Sequence, residues 1–77
     1  MKDYIIQSVL FNKNYFTINE CYRWSKLHHF NTIKNDITIN WYKCRQYDPN
    51  ELRKEGYGNY FMKKIKDGEI MYVIAYK

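Results

Sequence analysis

The most reactive side chains in this sequence belong to Cys21, Cys44, His28 and His29. A thiol beside an imidazole can act as an activated nucleophile. Cys21 and His28 are seven positions apart, so they share a helix face but stand about 10 Å apart along its axis. That is too far for a direct pair. Cys44 approaches His28 only if its strand runs beneath the helix. The same four residues lack the paired short spacing of a structural zinc site. Gly56, Gly58 and Gly68 follow no phosphate-loop pattern. Carboxylates are scattered singly, with no pair suited to acid/base work. These features argue against an enzyme and imply no metal or cofactor. The cysteines are expected to be small, buried, reduced thiols, and the histidines to cap or pack.

A different chemistry is suggested by "WYKCRQY", residues 41–47. Read as a strand, it alternates Trp41, Lys43, Arg45 and Tyr47 onto one face. The last two apolar runs of the chain add Lys63 and Tyr72 on one side, or Lys64 and Lys66 on the other. Residues 41–66 hold seven basic and three acidic residues, and so most of the net charge of +5. Cations hold phosphates and rings stack on exposed bases. The candidate site is therefore a sheet-borne platform for DNA or RNA made of Trp41, Lys43, Arg45, Tyr47, Lys63 and Tyr72.

A second reading uses the same face. Aromatics favour strands, and lysine stems cover sheets. Tyr, Trp, Met and Arg also favour protein interfaces. A face carrying Trp41, Tyr47, Phe61, Ile65, Ile70, Tyr72 and Ile74 would be too apolar for bare solvent. It would suit a second copy of the chain or a larger protein. The lysine and tyrosine richness is shared with isoleucine and asparagine. All four have AT-rich codons, which discounts arguments from lysine number alone.

These side chains need elements to carry them. "YIIQSVLFNK" (4–13) reads as a strand ending in a turn cluster. Thr17 followed by Glu20 forms a capping box, and Phe16 with Cys21 a hydrophobic staple. The helix they open is expected from Ile18 to His28 or His29. Ile18, Cys21, Trp24, Ser25 and His28 share its inner side, with Asn19, Arg23 and Lys26 opposite. Residues 37–47 read as the second strand. Asp48-Pro49 offers an N-cap and a first-turn proline for a short helical turn, closed by Gly56 or Gly58. Asp67-Gly68 marks a hairpin in which Ile65 opposes Ile70 and Lys63 opposes Tyr72. Tyr60, Met62, Met71, Val73 and Ala75 then share one face of that hairpin.

The order is β-α-β-β-β. It implies an α+β fold, with one main helix on one face of a mostly antiparallel sheet of about four strands. Seventy-seven residues suffice for a single domain, 1–77, with one small core. No stretch approaches the length of a membrane span, and no secretory signal is visible.

One resemblance covers nearly the whole chain, from Gln7 to Tyr76. The order "SVLFNK", then "T..E...W...H", then "YKCRQYDP", then "KKI.DG" resembles a small domain associated with phages and large double-stranded DNA viruses. The matching residues are Trp24, His28, Lys43, Arg45, Gln46, Asp48, Pro49 and Gly68. Departures are Cys44 where the pattern has Phe, Ser25 where it has Leu, His29 in place of a helix-ending Gly, and a longer "NELRKEGYG". The resemblance implies a fold and a viral setting rather than an activity. The partner would then be nucleic acid or a viral structural protein, with no membrane, in host cytoplasm or virion.

Overall fold

A computed structural model describes residues 3–77. The first strand, β1 (Tyr4–Asn12), leads through a turn to helix α1 (Ile18–Leu27). A hairpin of β2 (Asn35–Ile37) and β3 (Trp41–Arg45) follows. Helix α2 (Pro49–Lys54) precedes a second hairpin, β4 (Asn59–Ile65) and β5 (Ile70–Tyr76). The five strands form one antiparallel sheet in the order β2-β3-β1-β5-β4. The fold is α+β, with one more strand than the sequence suggests and a second true helix.

The capping box at the start of α1 is complete. Glu20 N–H donates to Thr17 Oγ1 at 3.2 Å, and Thr17 N–H donates to Glu20 Oε1 at 2.9 Å. The two bonds satisfy orphan amides at both ends of the first turn. α1 stops at a Schellman arrangement: Phe30 N–H reaches Ser25 O at 2.8 Å and His29 N–H reaches Lys26 O at 3.2 Å. His29 takes the left-handed position at φ 63°, where glycine is usual. α2 is bounded in the same grammar. Asp48 caps it, with Asn50 N–H on Oδ1 at 2.8 Å, and Pro49 fills the first turn. Gly56 at φ 95° ends it, with Tyr57 N–H on Leu52 O at 2.8 Å.

The main core lies between α1 and the sheet. Val9, Phe11, Cys21, Cys44 and Ile70 are fully enclosed there, with Trp24, Phe16, Phe30, Tyr42 and Tyr72 packed around them. Burial of each large apolar side chain contributes about 1.5–3 kcal/mol. Trp24 and Ile18 are half-buried, and Arg23 and Lys26 face water, as their helical positions require. A second, smaller cluster joins Leu52 and Tyr57 to Ala75 and Ile5. Ala75 and Ile5 alternate with Ile74 and Ile6, so α2 packs on the sheet face away from α1. The expectation of helical cover on one face alone is corrected: α2 covers one end of the other.

The expected strand 37–47 is strand only over β3 and at Ile37, which ends β2; the rest of β2 lies in what reads as a connection. Thr38 breaks the run by closing a tight turn on Trp41: its N–H donates to Trp41 O at 2.9 Å, and its Oγ1 accepts from Trp41 N–H at 3.1 Å. β3 then ends at Arg45. Gln46 N–H and Tyr47 N–H both turn to Gln7 O, at 2.7 and 3.4 Å, beside the register shift between Ile6 and Ser8 in β1. That irregularity ends the ladder before Tyr47. The last hairpin has the expected register, Ile65 with Ile70 and Lys63 with Tyr72. Its turn carries positive φ at Lys66 (53°), Asp67 (53°) and Gly68 (88°), and Glu69 N–H closes on Lys66 O at 2.9 Å, so three residues rather than the two of a type I′ turn take the left-handed region.

Candidate interaction surface

Strand pairing assigns every strand residue to a face, because directly opposed residues point the same way. On the face away from α1, one row crosses all five strands: Asp36, Lys43, Leu10, Met71 and Lys64. The next row holds Arg45, Ser8, Val73 and Met62. Beyond it lie Ile5, Ala75 and Tyr60, where α2 begins its cover. Trp41 pairs with Asn12 at the opposite end.

The middle of this face is apolar. Leu10, Met71, Val73 and Met62 lie together, and the apolar clusters built around α1 and α2 do not include them. Leu10 is itself buried at 9% exposure, Met71 and Val73 are half-buried, and Met62 is 53% exposed, so the accessible part of the group lies towards β4. Cations stand at the margins. Arg45 is paired: its Nη2 lies 3.2 Å from Asp36 Oδ2, with both side chains partly exposed. An ion pair that open adds little stability, but it removes one charge from the face.

Trp41, Lys43 and Arg45 therefore share a face, as the alternation requires. Tyr47 lies beyond the end of β3, outside the strand pairings, and is exposed where it borders two shallow clefts of about 360 and 390 Å³, the second lined by Ile5, Leu52 and Tyr57 of the α2 side. Lys63 and Tyr72 lie on the α1 side, in the row of Cys44 and Val9. Tyr72 packs edge-on against Phe30 at 5.7 Å, and burial raises its phenol pKa. Phe61, Ile65, Ile70 and Ile74 fall on the α1 side too, so they do not build the open face. The physical reason is strand order: β1 stands between β3 and the last hairpin. The lysine on the open face is Lys64. Leu10 and Met71 were missed as its centre because only β1's central place aligns them.

The thiols and histidines have structural surroundings. Burial raises the Cys21 thiol to about 12, with nearby Cys44 and Glu20 adding to the shift. Burial also raises Cys44, whose Sγ lies 3.3 Å from Asn35 Oδ1; Ser25 pulls it back in part. Both cysteines are free. Raised thiols are poor nucleophiles. His28 bonds the Trp24 carbonyl through Nδ1 at 2.9 Å. Among the described residues, no three of His, Cys, Asp and Glu converge as metal ligands, and no helix is long and apolar enough to cross a membrane.

Gln46 has a similar framework role. Its Oε1 accepts from Asn31 N–H and its Nε2 donates to Asn31 O, both at 2.8 Å. The side chain thus imitates a strand rung and pins the connection after α1. No protein family, curated protein or solved structure matches the chain.

Proposed function

We propose that this is a small non-enzymatic accessory protein that acts by contact, through the sheet face away from α1. The observation that carries this reading is the group Leu10, Met71, Val73 and Met62, which stays outside both apolar clusters and is flanked by Trp41 and Tyr60. A contiguous apolar patch with a polar rim is the usual form of a protein-binding surface. The occupant would be a second copy or a larger structural protein. A photocrosslinking residue in place of Met71, used in the native cell, tests this. The expected product is a discrete protein adduct that Val73→Glu abolishes. Adducts to nucleic acid alone, or none, would count against it.

Nucleic-acid binding is the second reading. It is supported by the row that places Lys43 and Lys64 on one face, with Trp41 close by. Titration with single- and double-stranded DNA at several salt concentrations tests it. Replacing Lys43 and Arg45 by Ala should flatten the salt dependence by about one to two units of slope, one for each phosphate that is no longer neutralised. The lower figure applies if Asp36 already neutralises Arg45. Trp41→Ala should weaken single-strand binding by about 1–3 kcal/mol if its ring stacks. No affinity at low salt would remove this reading. The proposed setting, a phage or large double-stranded DNA virus with the protein in host cytoplasm or virion, rests on the resemblance alone.

A further inference from the structure

β4 closes one edge of the sheet. It runs seven residues without proline, and six of the seven are exposed. Among the described residues β5 is its only strand partner, so no described strand lies beside its outer backbone groups. Such an edge is a template for another strand. Its sequence, Asn59-Tyr60-Phe61-Met62-Lys63-Lys64-Ile65, is divided: rings come first and cations after. Two lysines in an edge strand commonly repel a partner. Here the division gives them an alternative. In an antiparallel pairing of two copies about Met62, Lys63 stands opposite the partner copy's Phe61, and Lys64 opposite its Tyr60. No two lysines are directly opposed. Opposed residues have Cβ atoms about 4.5–5.5 Å apart, which lets an ammonium reach a ring face. The chain already uses this contact twice: Lys13 over Tyr42 and Lys77 over Tyr57, each at 5.1 Å.

We infer that β4 pairs with β4 of a second copy, across a two-fold axis at Met62, to make one continuous ten-stranded sheet. An acidic strand from another protein would satisfy the lysines but leave the Tyr60–Met62 segment unmatched. A second copy satisfies both halves. The contact shares Met62 with the rim of the apolar sheet face, but it is made by backbone groups at the edge and does not require Val73 or Leu10, so Val73→Glu should leave it intact. Its success or failure is therefore distinguishable from that of the face.

Sedimentation and symmetric disulfide trapping test the pairing. Met62→Cys places two thiols directly across the axis, within the Cα separation a disulfide needs. Lys64→Cys places its two thiols about 14 Å apart. Native Cys21 and Cys44 are buried and give little background. The expected results are reversible mass doubling of the unmodified chain, efficient crosslinking of Met62→Cys, and little of Lys64→Cys. Phe61→Lys should set lysines opposite each other and raise the dissociation constant about tenfold. Phe61 is 42% exposed, so that variant is expected to fold, and circular dichroism checks it. The inference is overturned by a monomer at about 1 mM, by equal crosslinking of the two cysteine variants, or by unchanged association of folded Phe61→Lys.

Discussion

The indole of Trp24 lies flat on the imidazole of His28, with ring centroids 3.8 Å apart and planes 16° from parallel. The same imidazole bonds the Trp24 carbonyl, so one side chain covers the ring and caps an end of the helix that carries it. His28→Ala removes both contacts. It should lower stability by about 1–2 kcal/mol, as read by urea unfolding. A midpoint within error of the parent would mean that the stack contributes nothing measurable.

His29 supports a different substitution. It holds φ 63° in the position that ends α1, a conformation costly for a residue with a Cβ. His29→Gly should raise stability by about 1 kcal/mol, because glycine takes that position without strain. Loss of stability would show that the imidazole has a compensating contact.

Thr17 and Glu20 test the other end of α1. Thr17→Ala should cost about 1 kcal/mol in a thermal or chemical melt. The bonds from Thr17, backbone first and then hydroxyl, hold the Glu20 carboxyl below its ordinary value of 4.5, with Arg23 adding to the effect. A lowered carboxyl favours the folded state above its unfolded pKa. That contribution fades as pH falls through the folded value. NMR titration should show Glu20 moving only part of the way back towards 4.5 in Thr17→Ala, because the hydroxyl is lost while the larger backbone N–H bond remains; an unmoved titration would show that the hydroxyl adds nothing.

Cys21 and Cys44 should resist alkylation at neutral pH until the protein is unfolded. The Cys21 thiol, raised to about 12 mainly by burial, is fully protonated there. A raised thiol favours the folded state below the ordinary thiol value of 9.0. This advantage falls as pH climbs from there towards 12. Labelling by a thiol reagent with and without denaturant measures it. Fast modification of the native protein would be the contrary result.

Local order was readable in the residues. Thr17 with Glu20, Asp48 with Pro49, and Asp67 with Gly68 each specify their element through contacts a few residues away. Alternation also assigned the partners within each strand, including Met62 with Met71 and Val73. Strand order was less accessible. β1 is inserted between β3 and β5, and only its pairings with both decide that Lys43 shares a face with Lys64 rather than Lys63. An odd shift between strands turns every side chain over, and no local signal records it. Tyr47 lies beyond the end of the β3 ladder for a related reason: the turn of Gln46 and Tyr47 towards Gln7 depends on an irregularity about forty positions earlier in the chain.

The central position of β1 also bears on how fast the molecule forms. β1 gains β5 only when residues 4–11 meet residues 70–76, nearly the full described length away. α1 and the two hairpins can form from neighbouring segments in microseconds. Closing the sheet must wait for the two distant segments to meet, at an entropic cost no local contact offsets. The rate-limiting event should therefore be the docking of the last hairpin onto β1. Until it docks, the half-sheet of β1 and β3 has an open edge, the state in which the chain is most exposed to wrong pairing.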